Sequence, residues 1–157
     1  MLGQFATKLC RFVDLGDRRV AAETINRHVA RHADLFTECL RPALCHNDFH
    51  EGNVLVTRDG EGWRVTGYVD VETWSSPIPY STLAKTDYFA LRHSETKRRA
   101  FIRGYGPLPR GWAPRADLYR LHHALEFWNW SASAGKRDVL ADIRTELEEI
   151  ISNDAAQ

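Results

Sequence analysis

One short stretch of this chain reads as β-structure, and the patterned sequence around it reads as helix. Val54 to Thr57 is a β-rich run, and Arg58-Asp59-Gly60-Glu61-Gly62 carries turn chemistry. Trp63 to Val69 alternates well enough to be the partner of the first run, so the pair is expected to form a β-hairpin. A single hairpin cannot build a layered sheet, which restricts the chain to an α+β, mostly helical fold.

The helices follow from apolar spacing. Leu2, Phe5, Ala6, Leu9, Phe12 and Val13 recur at helical intervals and predict an amphipathic first helix that ends near Asp14 to Gly16. A second helical stretch is expected from Arg18 to Leu40, with Val20, Ile25, Val29, Ala33 and Phe36 on its buried face, and Pro42 ends it. Thr73 to Tyr80 holds Pro77 and Pro79 and is expected to be irregular. From Leu83 the chain is helical again. One helix covers Thr86 to Arg103 and breaks at Gly104-Tyr105-Gly106-Pro107; another follows Pro114, with Leu118, Leu121, Leu125 and Trp128 on one face. A last helix carries Val139, Leu140, Ile143, Leu147, Ile150 and Ile151. At 157 residues this is expected to be one domain: helices over 1–41, a loop and hairpin over 42–72, and a helical subdomain over 83–152.

Charge and cysteine content exclude several classes. Twenty-one basic residues balance twenty-one acidic ones, which argues against a nucleic-acid partner. The three cysteines, Cys10, Cys39 and Cys45, have no C-x-x-C spacing, so neither a disulfide framework nor a zinc knuckle is implied, and a reducing, cytoplasmic setting is expected. No secretory leader and no apolar stretch of membrane-span length is read, so no membrane partner is expected.

The chemistry concentrates in Leu44-Cys45-His46-Asn47-Asp48-Phe49-His50-Glu51-Gly52-Asn53, directly before the first strand. Phosphoryl transfer asks a protein for a positioned hydroxyl and for metal-neutralised charge rather than for covalent help. A carboxylate at Asp48 suits the first need, since it can orient an acceptor hydroxyl and receive its proton. The amide oxygen of Asn53 suits a hard cation that keeps several waters. Asp70, at the end of the second strand in Tyr68-Val69-Asp70-Val71-Glu72, is brought back towards Asn53 if the hairpin forms. Glu72 either assists the metal or faces solvent.

These residues resemble a known family. The pattern H-x-D-x-H-x-x-N, then a hairpin, then an apolar-Asp-apolar-Glu segment, is similar to the aminoglycoside phosphotransferase and choline kinase-like group. Leu2 to Leu9 and Phe101-Ile102-Arg103-Gly104-Tyr105-Gly106 also resemble segments of that family. The resemblance implies the C-terminal lobe of a protein kinase-like fold, with the N-terminal nucleotide lobe absent. It implies Asp48 as catalytic base, Asn53 and Asp70 as magnesium ligands, and His46 as a brace of the catalytic loop. His50 has either a packing role or a direct role near the acceptor. The implied cofactors are Mg2+ and ATP or GTP as phosphoryl donor, and the implied substrate is a small-molecule hydroxyl, an aminoglycoside antibiotic among them.

Two departures from the family are visible. Where it commonly carries D-P-x-x-D-L-A, this chain reads Ile78-Pro79-Tyr80-Ser81-Thr82-Leu83-Ala84, without either acid. The four lysines, Lys8, Lys85, Lys97 and Lys136, all fall in helical segments or their approaches, and none sits in a V-A-I-K-like strand. The alternative function is therefore a truncated or degenerate lobe that binds a ligand or partner without catalysis, through an exposed apolar surface where a nucleotide lobe would dock. Other candidates read as structural. His122 and His123 are expected to serve packing or surface roles rather than metal, and Trp112, Phe127, Trp128 and Trp130 are expected in the core or along a substrate wall. Glu146, Glu148 and Glu149 form either a solvated helix face or a substrate contact.

Overall fold

The computed structural model describes residues 2–16, 19–36, 45–71, 79–108 and 110–154. Its regular elements in chain order are α1 (Leu2–Gly16), α2 (Arg19–Arg31), β1 (Val54–Asp59), β2 (Gly62–Tyr68), α3 (Pro79–Thr86), α4 (Glu95–Tyr105), α5 (Trp112–Ser133) and α6 (Leu140–Asp154). Short 3-10 turns lie at Ala33–Phe36, Glu51–Asn53 and Arg137–Val139. The described residues are thus mostly helical with one two-stranded antiparallel hairpin, as the sequence pattern requires. None of the described helices is long and apolar enough to cross a membrane. The chain divides into two compact units, Met1–Glu38 with Ala113–Gln157, and Cys39–Trp112.

The first unit is an all-helical cluster with an aromatic centre. On α1 the spacing of seven puts Phe5 and Phe12 on one face, and both are buried. Phe12 meets Trp128 edge-on at 4.5 Å, while Phe5 meets Phe36 at 5.6 Å and His122 at 5.0 Å. Leu118, Leu121, Leu125 and Trp128 form the buried stripe expected on α5, and Ile143, Leu147 and Ile150 form that of α6. Ile25 and Val29 are the buried anchors of α2. The α-helix ends at Arg31, short of the expected stretch, and the chain continues as a 3-10 turn at Ala33–Phe36, where Ala33 and Phe36 are only partly buried. Arg18 and Leu40 with Pro42, and the side chain of Val20, lie outside the described residues.

Some polar groups inside this unit are tied across elements, while His122 Nδ1, Asn129 Oδ1 and Ser131 Oγ are buried with no hydrogen-bond partner among the described residues. Asn129 donates from Nδ2 to the Lys8 carbonyl at 2.8 Å, and buried Arg115 donates from Nε to the Leu35 carbonyl at 3.1 Å. Glu126 takes Lys8 Nζ at 3.0 Å on one oxygen and His123 Nδ1 at 3.2 Å on the other. Burial works against that carboxylate's charge, yet the His123 hydrogen bond and the Lys8 ammonium hold it well below the usual carboxylate range. Burial, with the Lys8 charge next, pushes the neighbouring His122 down to about 2, so its imidazole is neutral. His122 and His123 are both interior groups. Trp130, by contrast, is exposed rather than core: its ring carries Lys136 Nζ at 4.2 Å, a cation–π contact.

The second unit holds the hairpin and the helices that follow it. Only Gly60 and Glu61 form the tip, because the strands run on to Asp59 and Gly62. Gly60 takes φ 60, which favours glycine at the first central position of a two-residue hairpin turn. Leu55 pairs with Gly67 but Val56 with Val65, so Thr66 is the extra residue of a bulge that re-aims the strand near the open end. Glu72 and residues 73–78 of the expected irregular stretch lie outside the described residues. Pro79 and Tyr80 already belong to α3, a position where proline's missing N–H costs nothing.

The single helix expected over Thr86 to Arg103 is not formed. The chain widens into a π-helical segment at Asp87–Leu91, stops, and restarts at Glu95. Ser94 sits in an extended conformation (φ −147), and its hydroxyl accepts from Lys97 N at 3.3 Å, an N-cap that starts α4 afresh. Gly106 closes α4 at φ 91, with its N–H on the Ile102 carbonyl at 3.0 Å, within the expected breaker. Arg98 returns across the break to Asp87 at 2.8 Å.

Candidate active site

The second unit gathers the sequence motif into one place, through backbone rather than through a large core. Asn47 takes φ 58, a left-handed turn that asparagine tolerates better than most residues. That turn presents Asp48 as a half-exposed carboxylate. Five residues on, Asn53 ends the 3-10 turn of Glu51–Asn53, and its N–H bonds the His50 carbonyl at 3.0 Å. Its side chain is buried, and Nδ2 donates to the Asp48 carbonyl at 2.9 Å, with the Asp48 carboxylate at 3.5 Å. The amide nitrogen thereby closes the loop, while Oδ1 has no hydrogen-bond partner among the described residues.

His50 is held by the same turn. Its Nδ1 accepts from Gly52 N at 3.0 Å, which leaves the neutral ring's proton on Nε2. Nε2 faces Asp48 Oδ2 at 3.5 Å. Gly52 has a steric reason to be glycine: a Cβ there would stand 2.8 Å from the His50 ring. The histidine both caps the turn and faces the Asp48 carboxylate.

The hairpin returns as expected. Val69 N donates to the Asn53 carbonyl at 3.0 Å, so the segment after β2 is stitched to the turn before β1. Asp70 is the next residue. It is exposed, takes φ 58, and makes no hydrogen bond or ion pair among the described residues. Asn47 and Asp70 are the non-glycine residues with positive φ among those described, and both flank the motif. Strained backbone of this kind concentrates at functional sites.

His46 has an apolar setting. Both ring nitrogens are buried without a hydrogen-bond partner among the described residues, and its ring meets Phe49 edge-on at 5.7 Å. Phe49 in turn lies against Tyr68 at 5.7 Å and Phe101 at 6.1 Å, so one aromatic chain links loop, hairpin and α4. Sequence reasoning missed Lys85. From the last turn of α3 its Nζ reaches 3.6 Å from Asp48 Oδ1, so the carboxylate stands between a lysine and a histidine. Lys97 makes a more ordinary pair: it bonds Glu51 at 2.9 Å in the open and holds that carboxyl below its usual range.

The contacts to the Asp48 carboxylate are long. At 3.5–3.6 Å they are electrostatic guides rather than formed hydrogen bonds, so its lone pairs stay available to an incoming O–H. In the other unit, ligand atoms of His122, His123 and Glu126 lie within 4.8 Å of one another, a spacing compatible with a metal. There, however, both oxygens of Glu126 are already engaged by Lys8 and His123.

The sequence pattern of the phosphotransferase enzyme family matches residues 5–118. No curated protein and no solved structure matches the chain.

Proposed function

Because the chain belongs to the phosphotransferase enzyme family, we propose that it transfers the γ-phosphoryl group of ATP or GTP to a hydroxyl of a small molecule. The observation that carries this reading is the Asp48–Asn53 turn stitched to Asp70 through the Val69–Asn53 hydrogen bond. Asp48 is the base. Its carboxylate accepts the proton as the substrate oxygen bonds to phosphorus, the bond from phosphorus to the bridging oxygen breaks, and the nucleoside diphosphate leaves. His50 and Asn53 steady the carboxylate, and His46 supports the loop through Phe49.

Asn53 and Asp70 fit a hard divalent cation. Asn53 commits its nitrogen to Asp48 and keeps its amide oxygen, and the Asp70 carboxylate is unengaged among the described residues. Magnesium bound there supplies charge neutralisation for the phosphate oxygens. We read the chain as the C-terminal lobe of a kinase-like fold, the lobe that brings acceptor and metal ligands together. The absence of a lysine from both hairpin strands supports that reading. Free Cys10 and Cys45 support a reducing, cytoplasmic setting.

The test is Asp48→Asn, assayed for phosphoryl transfer from Mg-ATP or Mg-GTP to a panel of hydroxyl acceptors. The rate is expected to fall by roughly a thousandfold or more, in line with removal of a positioned base, with the melting temperature unchanged. A variant that keeps wild-type turnover refutes the assignment. A second reading, a non-catalytic binding module, draws on the apolar hairpin surface: Leu55, Val56, Trp63 and Val65 are all exposed. Titration with Mg-ATP separates the two, since a chain that binds no nucleotide favours the module.

A further inference from the structure

The segment that lacks the family's usual acids leads into a residue of the opposite sign. We infer that Lys85 is a positioning residue for the Asp48 carboxylate, an inference that rests on the proposed base role of Asp48. Three observations carry it. The first is geometry: Lys85 Nζ stands 3.6 Å from Oδ1, while His50 Nε2 stands 3.5 Å from Oδ2, so each oxygen has its own guide. Two guides on different oxygens fix the plane of a carboxylate, and one alone lets it turn about its Cβ–Cγ bond.

The second is the root of the lysine. Ser81, Leu83, Ala84 and Thr86 are all buried, so the helix that carries Lys85 is anchored on both sides of it. A charged group on a rigid element holds its partner more closely than one on a loop. The third is the contrast with Lys97, the other lysine of the same unit. The Lys97 side chain is 52% exposed and its partner Glu51 69%, whereas Lys85 is 22% exposed and Asp48 34%. Water screens the first pair more than the second.

The carboxylate has about four lone-pair directions. Lys85 stands near Oδ1, and His50 and Asn53 Nδ2 near Oδ2, three long contacts that leave a direction free for the acceptor O–H. Lys85 acts through Asp48 in this arrangement and need not touch the substrate. An orientation error of this kind costs about 10- to 100-fold in turnover without weakening nucleotide binding.

A double-mutant cycle over Asp48→Asn and Lys85→Met, with turnover, nucleotide KM and melting temperature measured on each protein, tests the idea. Lys85→Met is expected to lower kcat about 10- to 100-fold with nucleotide KM unchanged within roughly twofold. Lys85→Arg is expected to recover most of the loss. In the Asp48→Asn background, Lys85→Met is expected to change the residual rate by less than about twofold, because the residue through which it acts is gone. Full activity of Lys85→Met overturns the inference, as does an undiminished loss in the Asp48→Asn background, which would place Lys85 on the substrate itself. A fall in melting temperature that accounts for the lost rate and is shared by Lys85→Arg also overturns it, in favour of a structural role. Failure of the underlying reading looks different: Asp48→Asn stays active, or the wild-type chain turns over no acceptor, and either result removes both claims.

Discussion

Residues 113–133 and residues 48–70 are both rich in polar groups and differ in how they hold most of them. The α5 helix buries them, with His122 Nδ1, Asn129 Oδ1 and Ser131 Oγ left without a partner among the described residues, and the loop and hairpin leave their carboxylates open. Along α5, Arg115, His123 and Asn129 are interior side chains that reach a carbonyl or carboxylate of another turn or element. Along the loop and hairpin, the Asp48 carboxylate has only long contacts and Asp70 makes no hydrogen bond or ion pair among the described residues. The difference separates two uses of polarity. Paired and buried, a polar group specifies a packing arrangement; half-exposed with valences left over, it is available to a ligand.

Four substitutions or conditions press on that contrast, and the largest effect is expected in the helical unit. Phe12→Ala should cost about 3–5 kcal/mol of stability by opening a hole beside Trp128, measurable by denaturant unfolding. If it costs under 1 kcal/mol, the aromatic centre is not what holds that unit together.

Acid comes next. The folded His122 resists protonation until about 2, whereas an unfolded one titrates near 6.5, so the unfolded chain binds the proton first. Its contribution is intact above that value and is lost progressively as pH falls, by about 2 kcal/mol at pH 5. Glu126 adds to the loss once pH drops below the ordinary carboxylate range, because its folded pKa is depressed. His122→Gln should flatten the stability profile between pH 7 and 5; an unchanged profile removes the buried neutral histidine from the account.

Gly52→Ala is expected to destabilise by about 1 kcal/mol, since the new methyl group drives the His50 ring off its cap. Its larger effect should be on turnover, and a variant with wild-type kcat would detach His50 from the site. Trp63→Ser, at an exposed hairpin position, should stay within about 0.5 kcal/mol of wild type by thermal melting. A marked loss would show that the strand surface is packed in solution.

Much of the helical unit was legible in the sequence because its signals are local. The Phe5–Phe12 interval and the stripe of Leu118, Leu121, Leu125 and Trp128 follow from helix period alone. The hairpin was legible from its turn, although the bulge at Thr66 was not, since register depends on both strands at once. The break between α3 and α4 was missed for want of a glycine or proline. Ser94 followed by Glu95 was the available signal, a capping residue with an acid in the first turn. Of the candidate site, the return of the segment before Asp70 to the Asp48–Asn53 turn was readable from the hairpin pattern. Lys85 was not, because 37 positions separate it from Asp48 and only the fold closes that gap. Trp130 was misplaced for the opposite reason: a helix alternates faces quickly, and two residues past buried Trp128 lies on the solvent side.

The left-handed backbone at Asp70 also restricts how this position can change over generations. A residue with a branched or bulky side chain would strain the φ 58 conformation and disturb the stitch between Val69 and Asn53. Asparagine and glycine tolerate that conformation, so they offer the mutational routes by which a descendant could lose the carboxylate and still keep the fold.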